Sequence, residues 1–323
     1  MYERGLVVGK FAPLHQGHQL LIETALAQCR TLYLWTYANP DFPTMPTDVR
    51  MGWLRTLYPQ AHLLPEGAGS PPNGSPDTVH QDYAQAQLER WGIDVEVLFT
   101  SEHYGASFAE RLGAEHRLVD LDRARVPISG TQMRRDIHGQ RQWLHPVVYG
   151  HFVERVVILG AESTGKSTLT ARLAAEYNTH HVDEFGRELY EQLDGQLEPH
   201  HFDEIARGHR EREDRARVRP GACRYLFCDT NAMTTAAFAF MMTGQASPSL
   251  LRFADACKAR YAHVFVCAAD IPFDQDGWRA SEAVRSVHQG LLLYELHVRG
   301  IAYTMLHGDL EERVRQVRTV LDS

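Results

Sequence analysis

The sequence predicts an α/β protein built from two doubly wound parallel-sheet domains, on three observations. A short apolar strand, Leu6-Val7-Val8, runs into a glycine-bearing loop and then a helix over 19–30. The same order recurs at mid-chain, where Arg155-Val156-Val157-Ile158-Leu159 leads into a glycine-rich loop and a helix over 168–176. Lastly, 323 residues suffice for two domains of ordinary size, each burying its own core. The pattern changes near 147–154, so the domains are expected at 1–150 and 151–323.

The remaining elements fit strands alternating with helices, the arrangement of a parallel sheet with helices on its faces. In the first half, 31–37 alternates as a strand and ends in Asn39-Pro40. Helices are expected over 47–57 and 77–91, and strands over 95–100 and 116–121. The stretch 67–76 (GAGSPPNGSP) is a loop by composition, either a flap near a site or a passive surface loop. In the second half, strands are expected over 180–182, 225–229, 263–268 and 302–306, with a last helix over 311–321. A charged helix over 202–218 mixes acids with bases, which reads as a solvated face or lid support rather than a nucleic-acid patch.

Bulk composition excludes several classes. A net charge of −8 argues against a general nucleic-acid surface, so no DNA binding is expected. Five cysteines, with no C-x-x-C pair, read as reduced thiols rather than a disulfide framework or zinc site. No basic-then-apolar leader and no bilayer-length apolar run is visible, so a cytoplasmic protein without membrane partners is expected.

The mid-chain loop carries the clearest chemistry. Gly160-Ala161-Glu162-Ser163-Thr164-Gly165-Lys166-Ser167 matches the phosphate-loop pattern G-x-x-x-x-G-K-[ST] at every position, between a strand and a helix. Such a loop offers backbone N–H groups and a helix N-terminus to phosphate, a lysine to the outer phosphates and a hydroxyl to Mg²⁺. Gly160, Glu162, Ser163, Thr164, Gly165, Ser167 and Thr168 are therefore expected around ATP, with Lys166 acting on the phosphates. The chain has three lysines against thirty arginines, and one sits here, where a compact ammonium fits and a planar guanidinium does not.

Other candidates cluster at expected strand ends. Asp183 and Glu184 follow a short strand, where an α/β fold places catalytic groups. Asp229 ends an apolar strand and is expected, with Ser167, to hold Mg²⁺. Arg279 and Arg285 follow the strand at 263–268, either as a lid closing over the phosphates or as surface ion pairs.

Near the N-terminus, Gly9-Lys10-Phe11-Ala12-Pro13-Leu14-His15-Gln16-Gly17-His18 puts a second lysine and two histidines between a first strand and a first helix. Ring N–H groups there can meet an anion also held by the helix N-terminus. This stretch resembles the H-x-G-H signature of nucleotidyltransferases that transfer AMP from ATP. That superfamily's partner motif, I-S-x-T-x-x-R, is intact as Ile128-Ser129-Gly130-Thr131-Gln132-Met133-Arg134.

Together with GAESTGKST, DEFGRE, CDTN and DGWR in the second half, the chain resembles the bifunctional nicotinamide-nucleotide adenylyltransferase/ribosylnicotinamide kinase family over nearly its whole length. The resemblance implies an H-x-G-H nucleotidyltransferase domain followed by a P-loop kinase domain. ATP would phosphorylate nicotinamide riboside in the second, and adenylylation of the mononucleotide in the first would yield NAD and pyrophosphate. Gly9, Lys10, Phe11, His15, Gly17 and His18 would then line the α/β-phosphate side, with Ser129, Thr131 and Arg134 on the departing phosphates. Asp183 would accept the riboside hydroxyl's proton, with Glu184 the competing candidate. Glu184, Arg187 and Asn231 would position the riboside. Mg²⁺ and ATP are the implied cofactor and co-substrate, and a homo-oligomer is expected. Best-known members carry an N-terminal helix-turn-helix module. The first strand here begins within ten residues, so repressor function is not expected. Three alternatives stay open: a first domain acting as nucleotide sensor, a nucleotide-switch ATPase, and a fused transferase for another cofactor precursor.

Overall fold

A computed structural model describes residues 1–37, 42–65, 69–272 and 282–322. The chain divides into two compact units, Met1–Tyr149 and Gly150–Ser323. Among the described residues each unit holds one five-stranded sheet, and every strand pair in both is parallel.

In unit 1 the strands are β1 (Tyr2–Val8), β2 (Cys29–Trp35), β3 (His62–Leu63), β4 (Val97–Thr100) and β5 (Glu115–Leu118), in sheet order β3-β2-β1-β4-β5. Its helices are α1 (Gln16–Leu26), α2 (Thr47–Leu57), α3 (Asp77–Trp91), α4 (Gly105–Leu112), α5 (Gly130–Arg135) and α6 (Pro146–Tyr149). β4 is apolar and buried on both faces, as a strand covered by helices on each side must be. The chain runs outward from β1 through β2 to β3, then returns to β4 on β1's other flank. The β1/β4 pair is therefore the switch point, where open α/β sheets bind ligands.

Unit 2 continues with β6 (Glu154–Leu159), β7 (His181–Val182), β8 (Tyr225–Asp229), β9 (His263–Cys267) and β10 (Thr304–Leu306), in order β10-β9-β6-β8-β7. Around it lie α7 (Lys166–Glu176), α8 (Phe185–Gln192), α9 (Pro199–Ala216), α10 (Ala232–Thr243), α11 (Pro248–Arg260), α12 (Glu282–Val298) and α13 (Leu310–Leu321). Val156, Ile158, Phe227 and Phe265 from the central strands pack with Leu169, Leu173, Val314 and Val317 from α7 and α13. Removing one such leucine would cost about 2–5 kcal/mol. No described helix is long and apolar enough to cross a membrane.

Two readings of the sequence change here. The first helix starts at Gln16 rather than 19 and ends at Leu26, because His15 caps it and β2 has begun by Cys29. The charged helix α9 is not a wholly solvated face: Phe202, Ile205, Ala206, His209 and Glu213 are buried. Arg279 lies outside the described residues, as do Gly67 and Ala68 of the 67–76 loop.

Candidate functional site

The phosphate loop leaves β6 and enters α7, and its backbone needs its glycines. Gly160 has φ +143°, and a Cβ there would lie 2.9 Å from the Cys267 carbonyl oxygen and 2.8 Å from Thr164 Oγ1. Gly165, at φ +79°, caps α7 in the left-handed region. Lys166 is buried, and its Nζ donates to the Ala161 carbonyl at 2.8 Å.

Helices far along the chain hold the same loop. Gln289 accepts from Ala161 N–H at 2.8 Å and donates to the Cys267 carbonyl. Arg285 donates to the Ser163 carbonyl at 3.2 Å and to Ile271. Arg313 donates to the carbonyls of Thr164 and Ala268 and pairs with Asp270. Arg285 is thus buried and engaged with loop backbone, where the sequence reading had either a lid arginine free to reach phosphate or a surface ion pair. Gln289 and Arg313 were not anticipated, since nothing in their local sequence separates them from ordinary helix surface.

A cavity of about 540 Å³ opens beside the loop. Glu162 to Thr168 line it, with Glu184, Arg187, Thr230 and Thr234 and an apolar set that includes Tyr190, Phe202, Phe238 and Met241. Polar groups at a phosphate loop next to aromatic walls can seat a nucleoside against a nucleotide's phosphates. Asp229 ends β8, paired in register with Ile158 just before the loop. It is buried, and its Oδ1 has no hydrogen-bond partner among the described residues. An orphaned carboxylate oxygen at the strand end before Thr230 suits a hydrated divalent cation, and Thr230 and Ser167 both line the cavity.

The two adjacent carboxylates part company. Asp183 is 80% exposed, 3.3 Å from His181 Nε2 and absent from the cavity wall. Glu184 turns inward: burial pushes its carboxyl above the usual carboxylate range, Lys166 pulls it down and Asp229 pushes it up. Asp183 was the first candidate for the proton acceptor, and the fold instead brings Glu184 to the cavity. Asn231 has a structural task as well, while its buried Nδ2 has no hydrogen-bond partner among the described residues. Its Oδ1 accepts from the N–H groups of Met233 and Thr234, so it caps α10 and does not line the cavity.

His288, on α12, is buried against Phe238, and neither ring nitrogen has a hydrogen-bond partner among the described residues. Burial, then Lys166, lowers its pKa from 6.5 to about 4. The folded ring stays neutral where the unfolded one takes a proton, so stability is full above pH 6.5 and falls as pH drops towards 4. The loss should approach about 3 kcal/mol. His288→Leu should flatten the fall of the thermal midpoint between pH 7 and 4.5; a slope equal to wild type would show that His288 does not govern it.

In unit 1 the β1–α1 turn carries the histidines. Phe11 is buried at φ +47°, and its ring centroid stands 5.2 Å from that of His18. His15 Nδ1 accepts from Gly17 N–H at 3.1 Å, and His18 Nδ1 faces His15 N–H at 3.4 Å. The rings stack at 3.8 Å. Burial, followed by Arg123 and Arg134, lowers His15 to about 4, and burial with His15 holds His18 well below its usual value against a hydrogen bond to the Pro13 backbone. Both are neutral at pH 7, and with Nδ1 accepting, the proton sits on Nε2. Each ring is therefore a hydrogen-bond donor without net charge.

The second motif meets the first. A Cβ on Gly130 would lie 3.9 Å from His15 Nε2. Arg134 donates to the Ala12 carbonyl at 2.7 Å and to Thr131 Oγ1 at 3.1 Å, while Ser129 caps α5. Lys10 reaches Asn73, and its carbonyl is held by the buried Arg50, which also binds Thr36 and the Met45 carbonyl. Burial, then Arg134, lowers the Lys10 pKa. Arg50 was not anticipated, because a lone arginine on an amphipathic helix looks like surface.

A strand, phosphate loop and helix in a parallel sheet, with an acidic strand end alongside, define a P-loop nucleotide-binding unit, here following a second parallel α/β unit. A family model described as an AAA domain matches residues 155–313. Over 93% of its length the chain is 32% identical to the trifunctional NAD biosynthesis/regulator protein NadR of Escherichia coli (strain K12), covering 77% of that protein. Identity and coverage are the same for NadR of Salmonella typhimurium (strain LT2). The chain belongs to the NadR family. Two solved structures share its fold at 20% identity: a NadR protein in complex with NR (TM-score 0.75) and one in complex with NAD and AMP-PNP (TM-score 0.73). Each match covers 100% of this chain and 97% of the other.

Proposed function

We propose that the chain is a bifunctional enzyme of NAD biosynthesis, phosphorylating nicotinamide riboside in unit 2 and adenylylating the mononucleotide in unit 1. The observation that carries this reading is the cavity joining the phosphate loop to an aromatic wall through Glu184. The NAD-biosynthetic role of the relatives, and the NR, NAD and AMP-PNP held by the structural neighbours, point the same way.

In unit 2 the loop amides and Lys166 bind the ATP phosphates, and the apolar wall holds the nicotinamide ring. Glu184 orients the riboside 5′-hydroxyl and takes its proton as the oxygen bonds to the γ-phosphorus and ADP departs. Arg187, at the rim, contacts the riboside. Ser167 and Asp229 would hold Mg²⁺, which when bound neutralises charge on the phosphates.

In unit 1 no protein nucleophile is required, because the mononucleotide phosphate is already an anion. It bonds to the α-phosphorus of ATP as pyrophosphate leaves. The Nε2–H groups of His15 and His18, with Lys10, stabilise charge on the α/β side; Ser129, Thr131 and Arg134 hold the departing phosphates.

Mass analysis after incubation with ATP, Mg²⁺ and nicotinamide riboside should find the mononucleotide and NAD. His18→Ala should accumulate mononucleotide while NAD formation falls about 10²–10³-fold. Failure of the wild type to make either product would overturn the proposal, and a His18→Ala enzyme within twofold of wild type would remove the histidine's role.

A further inference from the structure

α9 carries a buried pair, Glu213 and His209, of which His209 faces the cavity. Glu213 is 0% exposed, yet it is an anion surrounded by donors. Arg260 Nε and the Tyr261 hydroxyl each lie 2.5 Å from it, Arg155 Nε lies 3.7 Å away, and His209 Nε2 is 3.4 Å from Oε1. Burial alone would raise its pKa, but His209, Arg260 and Tyr261 hold it down to about 2. Such an anion is strongly destabilising if a partner is lost, so the group is fixed in place.

His209, one turn earlier, is 4% exposed and lines the cavity. Its Nε2 faces Glu213 Oε1 at 3.4 Å but, buried, has no hydrogen-bond partner among the described residues. Glu184 stands close enough for a charge on His209 to lower its pKa. The packing agrees: a Cβ on Gly208 would come within 2.2 Å of the Phe185 ring, so the residue after Glu184 lies directly on α9 beside His209.

We propose that His209, oriented by Glu213, binds a sugar hydroxyl of the acceptor nucleoside and so fixes the nucleoside's angle of approach to the phosphate loop. A buried ring packed beside a fixed carboxylate is held in one orientation, the arrangement used where an imidazole must meet a ligand at a set position. The inference rests on the kinase reading of this cavity. It adds a substrate contact from a helix that the loop motifs do not include.

The test is steady-state kinetics of the full chain with nicotinamide riboside and ATP, on His209→Leu and the milder His209→Gln. Losing one hydrogen bond to the acceptor should raise its KM about tenfold in His209→Leu, with KM for ATP within twofold. Adenylyl transfer to supplied mononucleotide should stay at the wild-type rate. If His209→Leu fails to fold, His209→Gln carries the same expectation, with unchanged KM for ATP reporting an intact unit 2. An unchanged acceptor KM, or acceptor and ATP KM rising together, overturns the role of His209 and leaves the kinase reading standing. A wild type that phosphorylates no riboside overturns both.

Discussion

Lys166→Ala is expected to abolish riboside phosphorylation, with a fall of about 10³-fold or more, while adenylylation of supplied mononucleotide continues at its normal rate. The ammonium is buried in the loop and bonded to the Ala161 carbonyl, one compact charge enclosed by backbone. In a loose phosphoryl-transfer transition state almost all catalysis is positioning and charge stabilisation, so this group has no substitute among its neighbours. Arg285 and Arg313 are already engaged with loop carbonyls and do not line the cavity. Lys166→Arg should not rescue, because a planar guanidinium does not fit the enclosed position. The adenylyl-transfer candidates all belong to unit 1. A folded Lys166→Ala enzyme lacking both activities would refute the two-site reading.

Glu184→Gln should lower kinase kcat by about 10²–10⁴-fold with KM for ATP little changed, whereas Asp183→Asn should leave kcat within twofold. The amide keeps the size of Glu184 but can no longer accept the hydroxyl proton. Burial raises the Glu184 carboxyl and suits it to that task, while Asp183 faces solvent beside His181. Measuring kcat for both variants under saturating ATP decides the matter. A large loss in Asp183→Asn with near-normal Glu184→Gln would reverse the assignment.

What the sequence made legible was local. Strand composition and the spacing of Gly160, Gly165, Lys166 and Ser167 mark a phosphate loop because the motif is contiguous and its physics is contained in eight residues. The extents of α2, α3 and β8 were equally readable. Features that depend on backbone direction or distant partners were not. Asp183 and Glu184 are neighbours in one motif, and only the extended turn at Glu184, the N-cap of α8, sends one inward and one outward. That Asn231 Oδ1 caps α10 is visible only in the structure. Glu213 reads as one more charge on a solvated helix, since Arg260 and Tyr261, which make its burial tolerable, lie nearly fifty residues away.

The phosphate loop bears on how the chain is made. The carbonyls of Ala161, Ser163 and Thr164 are each held by a cation: Lys166, Arg285 and Arg313. In a trans peptide the carbonyl and the next N–H point opposite ways, so the amides of Glu162, Thr164 and Gly165 are turned away from those cations. Two of the three come from α12 and α13, the last two helices of the described fold. The loop is therefore unfinished until Arg285 and Arg313, encoded 122 and 149 residues after the carbonyls they hold, have docked. Nascent chains that stop short of Arg313 carry the motif without its finished shape. Capacity to bind nucleotide in unit 2 would wait on the docking of α13.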